Sequence, residues 1–365
     1  MTRHSPTPTR GALADGREIL LFDLPGAPQP VLGVDHRSLA PRPAEPVTTV
    51  RRDPQTGDRV IIAPARQDRT YKPVKAMCPL CPDPEGLSSE VPVEDYRVAV
   101  FENRFPSLAG TAAPGPGPVD ALRTETAGVG RCEVVCFTSD HDGAFARLPQ
   151  EHARLVLDVW AHRTAELLAR PEVEEVYCFE NRGEEIGVTL PHPHGQIYAF
   201  PYRTPRTESI VARAEDFRER EGGDLFEAIL AAEVADGTRL LIRTEHTTAF
   251  VPYAAKWPVE VHVYPNRHVR NLSELTEAEA DDLAAVYLAL LRAFDALYDA
   301  PLPYIASWHQ YRPDAEEGYL HAELFSIRRS ADKLKYLAGT ESGRDAFVTD
   351  KTPEAIADGL RAVIE

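Results

Sequence analysis

The sequence predicts an α+β protein built from two tandem halves. Each half carries, in the same order, a strand-like run, a histidine, an amphipathic helix, a second strand-like run and a further strand that opens at a histidine. The spacing agrees as well, because His192 follows His141 by 51 positions and His321 follows His268 by 53. This alternation of helical and extended periodicity indicates a duplicated unit with antiparallel strands flanked by helices.

Composition limits the class of protein. The chain has 365 residues, 43% of them hydrophobic and 27% charged, which is enough for two domains. No apolar run approaches the roughly 18 residues of a membrane span, and the first residues lack a signal-peptide core. Five cysteines argue for a reducing compartment, so we expect a cytoplasmic protein. A net charge of −17 disfavours nucleic acid as a partner.

We divide the chain into three parts. Residues 1–46 are rich in proline and form an N-terminal arm, in which only 18–22 looks ordered. Residues 47–205 form the first half and 206–365 the second. Within the first half, 106–130 is rich in proline, glycine and alanine and predicts a long surface loop.

In the first half, extended runs at 133–137 and 175–179 flank a helix near 150–170 that Pro171 ends. The next strand opens at 192–194.

In the second half, extended runs at 259–264 and 304–306 flank a helix that starts at a capping box, Thr276 with Glu279. The run at 321–327 follows. Thr352 caps a final helix, which has Pro353 at its first position.

The sequence PHPHGQIYAF at 191–200 is the strongest functional signal. Alternate residues of a strand share one face, so His192, His194 and Gln196 are able to point into one site. Pro193 suits the start of a strand, and Gly195 permits close approach to the backbone. Imidazoles beside an amide offer a nitrogen nucleophile or metal ligand next to a neutral donor. A buried polar pair is the alternative for two histidines so spaced.

Cys78 and Cys81 have the spacing of two thiolates that grip one Zn²⁺, in a knuckle-like turn. His141 and His192 are the best candidates for the remaining ligands. A redox pair is the less favoured alternative, since no helix starts there. The other cysteines lie in apolar runs and are predicted in the core: Cys132, Cys136 and Cys178.

FENRG at 179–183 followed by PHPHGQI at 191–197 resembles the signature of the galactose-1-phosphate uridylyltransferases, a branch of the histidine-triad superfamily. The likeness extends from about Arg51 onward, including CPLCP at 78–82, FEN at 101–103, VPYAAKWP at 251–258 and KYLAG at 335–339. It implies two histidine-triad-like halves in a half-barrel-like body, a homodimer, and UMP exchange between UDP-glucose and galactose 1-phosphate in galactose metabolism.

The resemblance also implies roles for individual residues. His194 is the expected nucleophile on the α-phosphorus, and Gln196 binds the phosphoryl oxygens. Zinc is expected on Cys78, Cys81, His141 and His192. A second metal, iron or zinc, is expected at Glu208, His309, His321 and Glu323. Lys335 and Glu341 are expected to meet the hexose phosphate from the partner subunit. The residues expected to hold the nucleotide are Arg66, Arg69, Asn103, Asn181 and Thr189.

The chain departs from the family pattern at two informative positions. Glu323 stands where some members have a second histidine; we interpret it as occupying the nucleophile position of the repeat, so one catalytic site per chain is expected. Arg104 stands where an acidic residue is common, which bears on base preference. Without the resemblance, Arg66 and Arg69 suit a solvated surface equally well, Lys335 a basic run, and His309 a hydrogen-bonded core position.

Gln196 favours transfer over hydrolysis, because an amide orients a phosphoryl oxygen but does not readily supply the proton that helps water. Two alternatives stay open from sequence. One is a related adenylyltransferase or phosphorylase that uses ADP-glucose or a dinucleoside polyphosphate with phosphate. The other is a non-catalytic, zinc-stabilised nucleotide-binding protein.

Overall fold

The structure is a computed structural model that describes residues 5–42, 48–111, 120 and 122–364. Parts of the predicted arm and of the loop predicted at 106–130 fall outside these residues. The predicted α+β class is confirmed. The described strands are β1 (Thr9–Ala12), β2 (Glu18–Phe22), β3 (Thr49–Arg52), β4 (Arg59–Ile62), β5 (Val98–Glu102), β6 (Thr124–Ala127), β7 (Arg131–Cys136), β8 (Glu175–Arg182), β9 (His194–Phe200), β10 (Leu240–Arg243), β11 (Thr247–Phe250), β12 (Val259–Pro265), β13 (Tyr304–His309), β14 (His321–Ser326), β15 (Arg328–Ser330) and β16 (Lys333–Leu334).

Helices follow several of the predicted positions. The described α-helices are α1 (Gln150–Leu168), α2 (Pro205–Glu221), α3 (Leu225–Asp236), α4 (Glu277–Ala296), α5 (Gly339–Arg344) and α6 (Pro353–Arg361). The capping box that starts α4 is present, with the Thr276 backbone N–H donating to the Glu279 carboxylate at 2.8 Å. Thr352 caps α6 by accepting from the Ala355 N–H. No described helix has the combined length and apolarity that crossing a membrane requires.

Eleven strands form one open antiparallel sheet in the order β1-β2-β5-β7-β9-β8-β13-β14-β12-β11-β10. The two halves meet where β8 pairs with β13, with Asn181 opposite Ile305. On either side of this junction the arrangement repeats: β9 lies between β7 and β8, and β14 lies between β12 and β13. The tandem halves predicted from sequence therefore share one continuous sheet.

Helices α1 and α4 cover one face of the sheet. Trp160 of α1 and Tyr287 of α4 meet edge to face in the main core, which also contains Ile197 and Ala199 of β9. Burial alternates along β9, so Gly195, Ile197 and Ala199 are buried whereas His194 and Gln196 are half-buried on the opposite face. The functional side chains of the motif thus lie on the sheet face that these two helices leave uncovered.

Two strands of the predicted N-terminal arm extend the edge of the main sheet. β2 pairs with β1 on one side and with β5 on the other. Arg17 of the intervening turn is fully buried; its guanidinium donates to the Asp15 and Glu90 carboxylates at 2.7 and 2.6 Å and to the Glu102 carbonyl at 2.9 Å. A buried cation with this many acceptors stabilises the segment against the first half.

Register corrects one prediction about the repeat. Gln196 pairs with Val134 and Phe179, and Glu323 pairs with His262 and Ser307 in the corresponding strands. The two histidines also make the same backbone hydrogen bond, from His194 Nδ1 to the His192 carbonyl and from His321 Nδ1 to the Tyr319 carbonyl. His321 is therefore the counterpart of His194, and Glu323 is the counterpart of Gln196. The prediction that Glu323 occupies the nucleophile position is wrong. Spacing along the sequence does not fix the register of a strand against its neighbours, and that register decides which residues of β9 and β14 correspond.

Candidate active site

His194 is held in one orientation by the backbone of its own strand. Its Nδ1–H donates to the His192 carbonyl at 2.7 Å, which leaves the Nε2 lone pair free to act. Burial lowers the pKa of His194 below its ordinary value, against the opposing effect of that carbonyl, so the ring is neutral at physiological pH. A neutral imidazole with a fixed tautomer is suited to nucleophilic attack.

A cavity of about 490 Å³ opens in front of this ring. Gln196, two residues along β9, lines the same cavity, as the shared strand face predicts. The structure also brings together in its wall all the residues predicted to hold a nucleotide: Arg66, Arg69, Asn103, Asn181 and Thr189. Two of them carry positive charge, so the cavity suits an anionic ligand.

Sequence reasoning missed several residues around His194. Arg37, from the predicted arm, lines the nucleotide-sized cavity, and its guanidinium contacts Glu90 at 2.9 Å. A neighbouring cavity of about 320 Å³ also contains His194 and is lined by Lys72, Glu180 and Arg182. Glu180 and Arg182 could have been found from sequence, because they lie beside the predicted Asn181 in the FENRG string. No local pattern indicates Arg37 or Lys72, since the fold brings them to the cavities from distant parts of the chain.

Glu180 is the buried acid beside this site. It lies opposite Gly195 in the β8–β9 pair, and its carboxyl accepts from the Tyr304 hydroxyl at 2.9 Å. Burial raises the pKa of Glu180 to about 7, although the Tyr304 hydrogen bond opposes the shift.

The predicted knuckle residues converge. One ligand atom from each of Cys78, Cys81, His141 and His192 lies within 4.8 Å of the others. Cys81 Sγ is 3.3 Å from His141 Nδ1 and 3.6 Å from His192 Nδ1. Zn–S and Zn–N bonds at tetrahedral angles separate sulfur from nitrogen by about 3.6 Å, so these residues fit a Cys₂His₂ zinc centre.

A backbone carbonyl orients one histidine of this cluster. The other ring nitrogen of His192, Nε2, donates to the Thr138 carbonyl at 2.8 Å, which leaves Nδ1 facing the thiols. The remaining cysteines, Cys132, Cys136 and Cys178, are buried and free, and they agree with their predicted place in the core.

The second predicted metal cluster forms only in part. His309, His321 and Glu323 come within 4.8 Å of one another. Glu208 does not join them, because its carboxylate pairs with Arg59 at 3.0 Å. The guanidinium of Arg206, two residues earlier on α2, contacts Glu323 instead.

Lys335 and Glu341 lie together, with Lys335 Nζ at 3.6 Å from Glu341 Oε1 and 3.2 Å from the Lys256 carbonyl. Neither residue is among those that line the two cavities at His194.

Comparisons with known proteins agree with this architecture. Residues 43–204 match the family described as galactose-1-phosphate uridyl transferase, N-terminal domain, and 211–362 match its C-terminal domain. Galactose-1-phosphate uridylyltransferase of Streptomyces lividans is 49% identical over 98% of both chains. The enzyme of the same name from Thermotoga maritima is 38% identical and covers 86% of this chain and 97% of its own.

Solved structures give the same result. A structure of uridylyltransferase, 31% identical, superposes with a TM-score of 0.77 over 87% of this chain and 98% of that one. ADP-glucose phosphorylase of Arabidopsis thaliana, 20% identical with a TM-score of 0.63, shares the fold. The fold and site thus define a transferase with a histidine on an inner strand, β9, of a sheet shared by two tandem halves. The chain belongs to the galactose-1-phosphate uridylyltransferase family.

Proposed function

We propose that this chain exchanges UMP between UDP-glucose and galactose 1-phosphate, in galactose metabolism, through a covalent uridylyl-histidine on His194. The main support for this proposal is the placement of the His194 ring. Its Nδ1–H donates to the His192 carbonyl, and the residue lines the same cavity as the residues predicted to hold the nucleotide. The uridylyl assignment rests on relatives of that name that span nearly the whole chain.

In the first half-reaction, His194 Nε2 attacks the α-phosphorus of UDP-glucose. The N–P bond forms as the bond to the bridging oxygen breaks, and glucose 1-phosphate leaves with the electron pair. The leaving oxygen belongs to a phosphate, so it needs no proton. Positive charge develops on the ring, and the His192 carbonyl stabilises it through the Nδ1–H bond.

In the second half-reaction, a phosphate oxygen of galactose 1-phosphate attacks the same phosphorus and the N–P bond breaks, which restores the neutral ring. The Gln196 amide donates to a non-bridging oxygen throughout. Arg66 and Arg69 balance the charge of the nucleotide in the same cavity. One pocket therefore serves both sugar phosphates in turn.

We assign zinc to the knuckle, where it would supply structural cross-linking rather than chemistry. Its ligand set includes His192, whose carbonyl orients His194. We also propose a cytoplasmic homodimer in which Lys335 and Glu341 reach the hexose phosphate of the partner's site. Their position outside the His194 cavities of their own chain supports a role in trans.

The test is mass spectrometry of intact protein mixed with UDP-glucose. We expect an adduct of one UMP that disappears when galactose 1-phosphate is added. His194→Ala should form no adduct, whereas His246→Ala, at a partly exposed histidine outside the cavities at His194, should behave as wild type. Formation of an adduct from ADP-glucose alone, discharged by phosphate, would establish the adenylyl alternative. Turnover without any adduct would exclude the covalent route.

A further inference from the structure

We propose that the cluster of His309, His321 and Glu323 holds the guanidinium of Arg206 in place of a second metal ion. The chain would then bind one zinc, at Cys78, Cys81, His141 and His192. His321 and Glu323 lie on β14, the strand of the second half that corresponds to β9. His321 Nδ1 donates to the Tyr319 carbonyl at 2.8 Å, just as His194 Nδ1 donates to the His192 carbonyl. This proposal does not depend on uridylyl transfer.

The carboxylate of the cluster already has a cation. Arg206 Nη2 lies 2.6 Å from both oxygens of Glu323, whose side chain is 9% exposed. His309 Nε2 approaches the second oxygen at 3.3 Å. A divalent ion on the same buried carboxylate would stand beside the half-exposed guanidinium, and the two like charges would repel each other.

The two imidazoles are not arranged to share an ion. The rings of His309 and His321 stack with centroids 4.5 Å apart and planes 2° from parallel. A bound metal lies in the plane of each imidazole that ligates it, and two stacked parallel planes have no common point. At the knuckle the rings of His141 and His192 stand at 81°, so their planes intersect. The chain thus contains one pair of histidines whose ring planes meet, His141 and His192, and one pair whose ring planes do not, His309 and His321.

The expected fourth ligand faces away. Arg206 and Glu208 lie two residues apart on α2, which places them about 200° apart around the helix axis. Since Arg206 contacts the cluster, Glu208 is directed elsewhere, and its carboxylate meets Arg59. The orientation of α2 that brings the Arg206 guanidinium to the cluster therefore turns the Glu208 carboxylate away from it.

Metal analysis of the full-length protein tests this assignment. We expect one zinc per chain in the wild type, none in Cys78→Ser/Cys81→Ser, and one in His309→Ala. Two metal ions per chain in the wild type, with one lost in His309→Ala, would overturn the proposal. So would one ion retained by the cysteine double variant. If the double variant fails to fold, the comparison of the wild type with His309→Ala still decides.

A second measurement asks whether the guanidinium acts as the cation. Arg206→Ala should lower the melting temperature by several degrees, because the buried Glu323 carboxylate then keeps only imidazole neighbours, such as His309 at 3.3 Å, and loses its guanidinium. Arg213→Ala, on the same helix and exposed, is the matched control and should melt as wild type does. Equal melting temperatures for the two variants would contradict the assignment. Arg206 lines neither cavity at His194, so activity with UDP-glucose and galactose 1-phosphate is an independent readout.

Discussion

His194 shows how the backbone sets the chemistry of a single side chain. A carbonyl two residues earlier in the chain fixes its tautomer, and burial keeps it neutral. Gln196 and the arginines Arg66 and Arg69 line the same cavity as this ring. The sequence predicted His194 and Gln196 on one face because alternate positions of a strand share it, whereas Arg66 and Arg69 were expected only from the family resemblance. It did not predict Arg206 at Glu323, since the partner of a buried carboxylate is set by how α2 docks.

Replacing Gln196 should impair transfer without removing the nucleophile. We expect Gln196→Ala to lower the turnover number by about 10²-fold, the usual loss when one donor to a reacting oxyanion is deleted. Steady-state kinetics with UDP-glucose and galactose 1-phosphate provide the measurement. Gln55→Ala, at an exposed turn, serves as control. An unchanged turnover number would remove Gln196 from the proposed mechanism.

Glu180 should make stability depend on pH. Its pKa of about 7 in the folded protein exceeds its ordinary value of 4.5, so the unfolded chain releases this proton first as pH rises. Stability is therefore lost between about pH 4.5 and 7, by about 3 kcal/mol, because the carboxyl ionises freely in the unfolded chain while the folded protein keeps it protonated.

Glu180→Gln removes that proton and should be more stable than wild type at pH 8 but not at pH 4. Urea denaturation at the two pH values measures the difference. Glu221→Gln, at an exposed acid, should show no such change. A stability difference that is the same at both pH values would refute the assigned pKa.

At the scale of elements, β9 can present the site because one of its faces packs in the core and the other lines the cavity. Gly195, Ile197 and Ala199 pack against the helical layer while His194 and Gln196 face the cavity. The sequence predicted β9, α1, α4 and α6 from their periodicity and caps. Helix α2 escaped prediction because its buried stripe, Thr207, Val211 and Ala214, is narrow and only weakly apolar among many charged residues.

Gly195 is the position where β9 tolerates no side chain. A Cβ there would lie 2.7 Å from Phe137 Cζ and 2.8 Å from the Phe179 carbonyl oxygen, which confirms the close approach predicted from sequence. Gly195→Ala should shift the strand, cost about 1–3 kcal/mol of stability and misplace His194. Thermal unfolding and turnover measure the two effects. Gly343→Ala, with nothing within 4 Å, is the control. Wild-type behaviour of Gly195→Ala would show that β9 adapts freely.

At the scale of the whole molecule, the two halves are interdependent through one sheet. Asn181 lines the cavity of the first half, yet it pairs with Ile305 of the second, and Tyr304 supplies the partner of Glu180. Lys335 and Glu341 belong to the second half and lie outside the His194 cavities of their own chain, which is the basis for the proposed sharing between subunits.

Mixed subunits test that sharing. His194→Ala and Lys335→Ala should each be nearly inactive alone, whereas an equal mixture allowed to exchange subunits should recover about a quarter of wild-type activity, since half the dimers then contain one intact site. Activity is assayed before and after exchange, with each variant incubated alone as the reference. Absence of recovery, with exchange verified, would mean that Lys335 acts within its own chain or not at all.

The sequence by itself determined the α+β class, the tandem halves, the placing of His194 and Gln196 on one strand face, and the Cys78–Cys81 pair. These depend on local periodicity and on spacing within short segments, which neighbouring residues dictate. Only the tertiary structure decided that His321 rather than Glu323 is the counterpart of His194, that strands from the first 46 residues extend the sheet, and that Arg206 rather than Glu208 contacts Glu323. Strand register and helix docking decide these features, and both arise from packing between segments far apart in the chain.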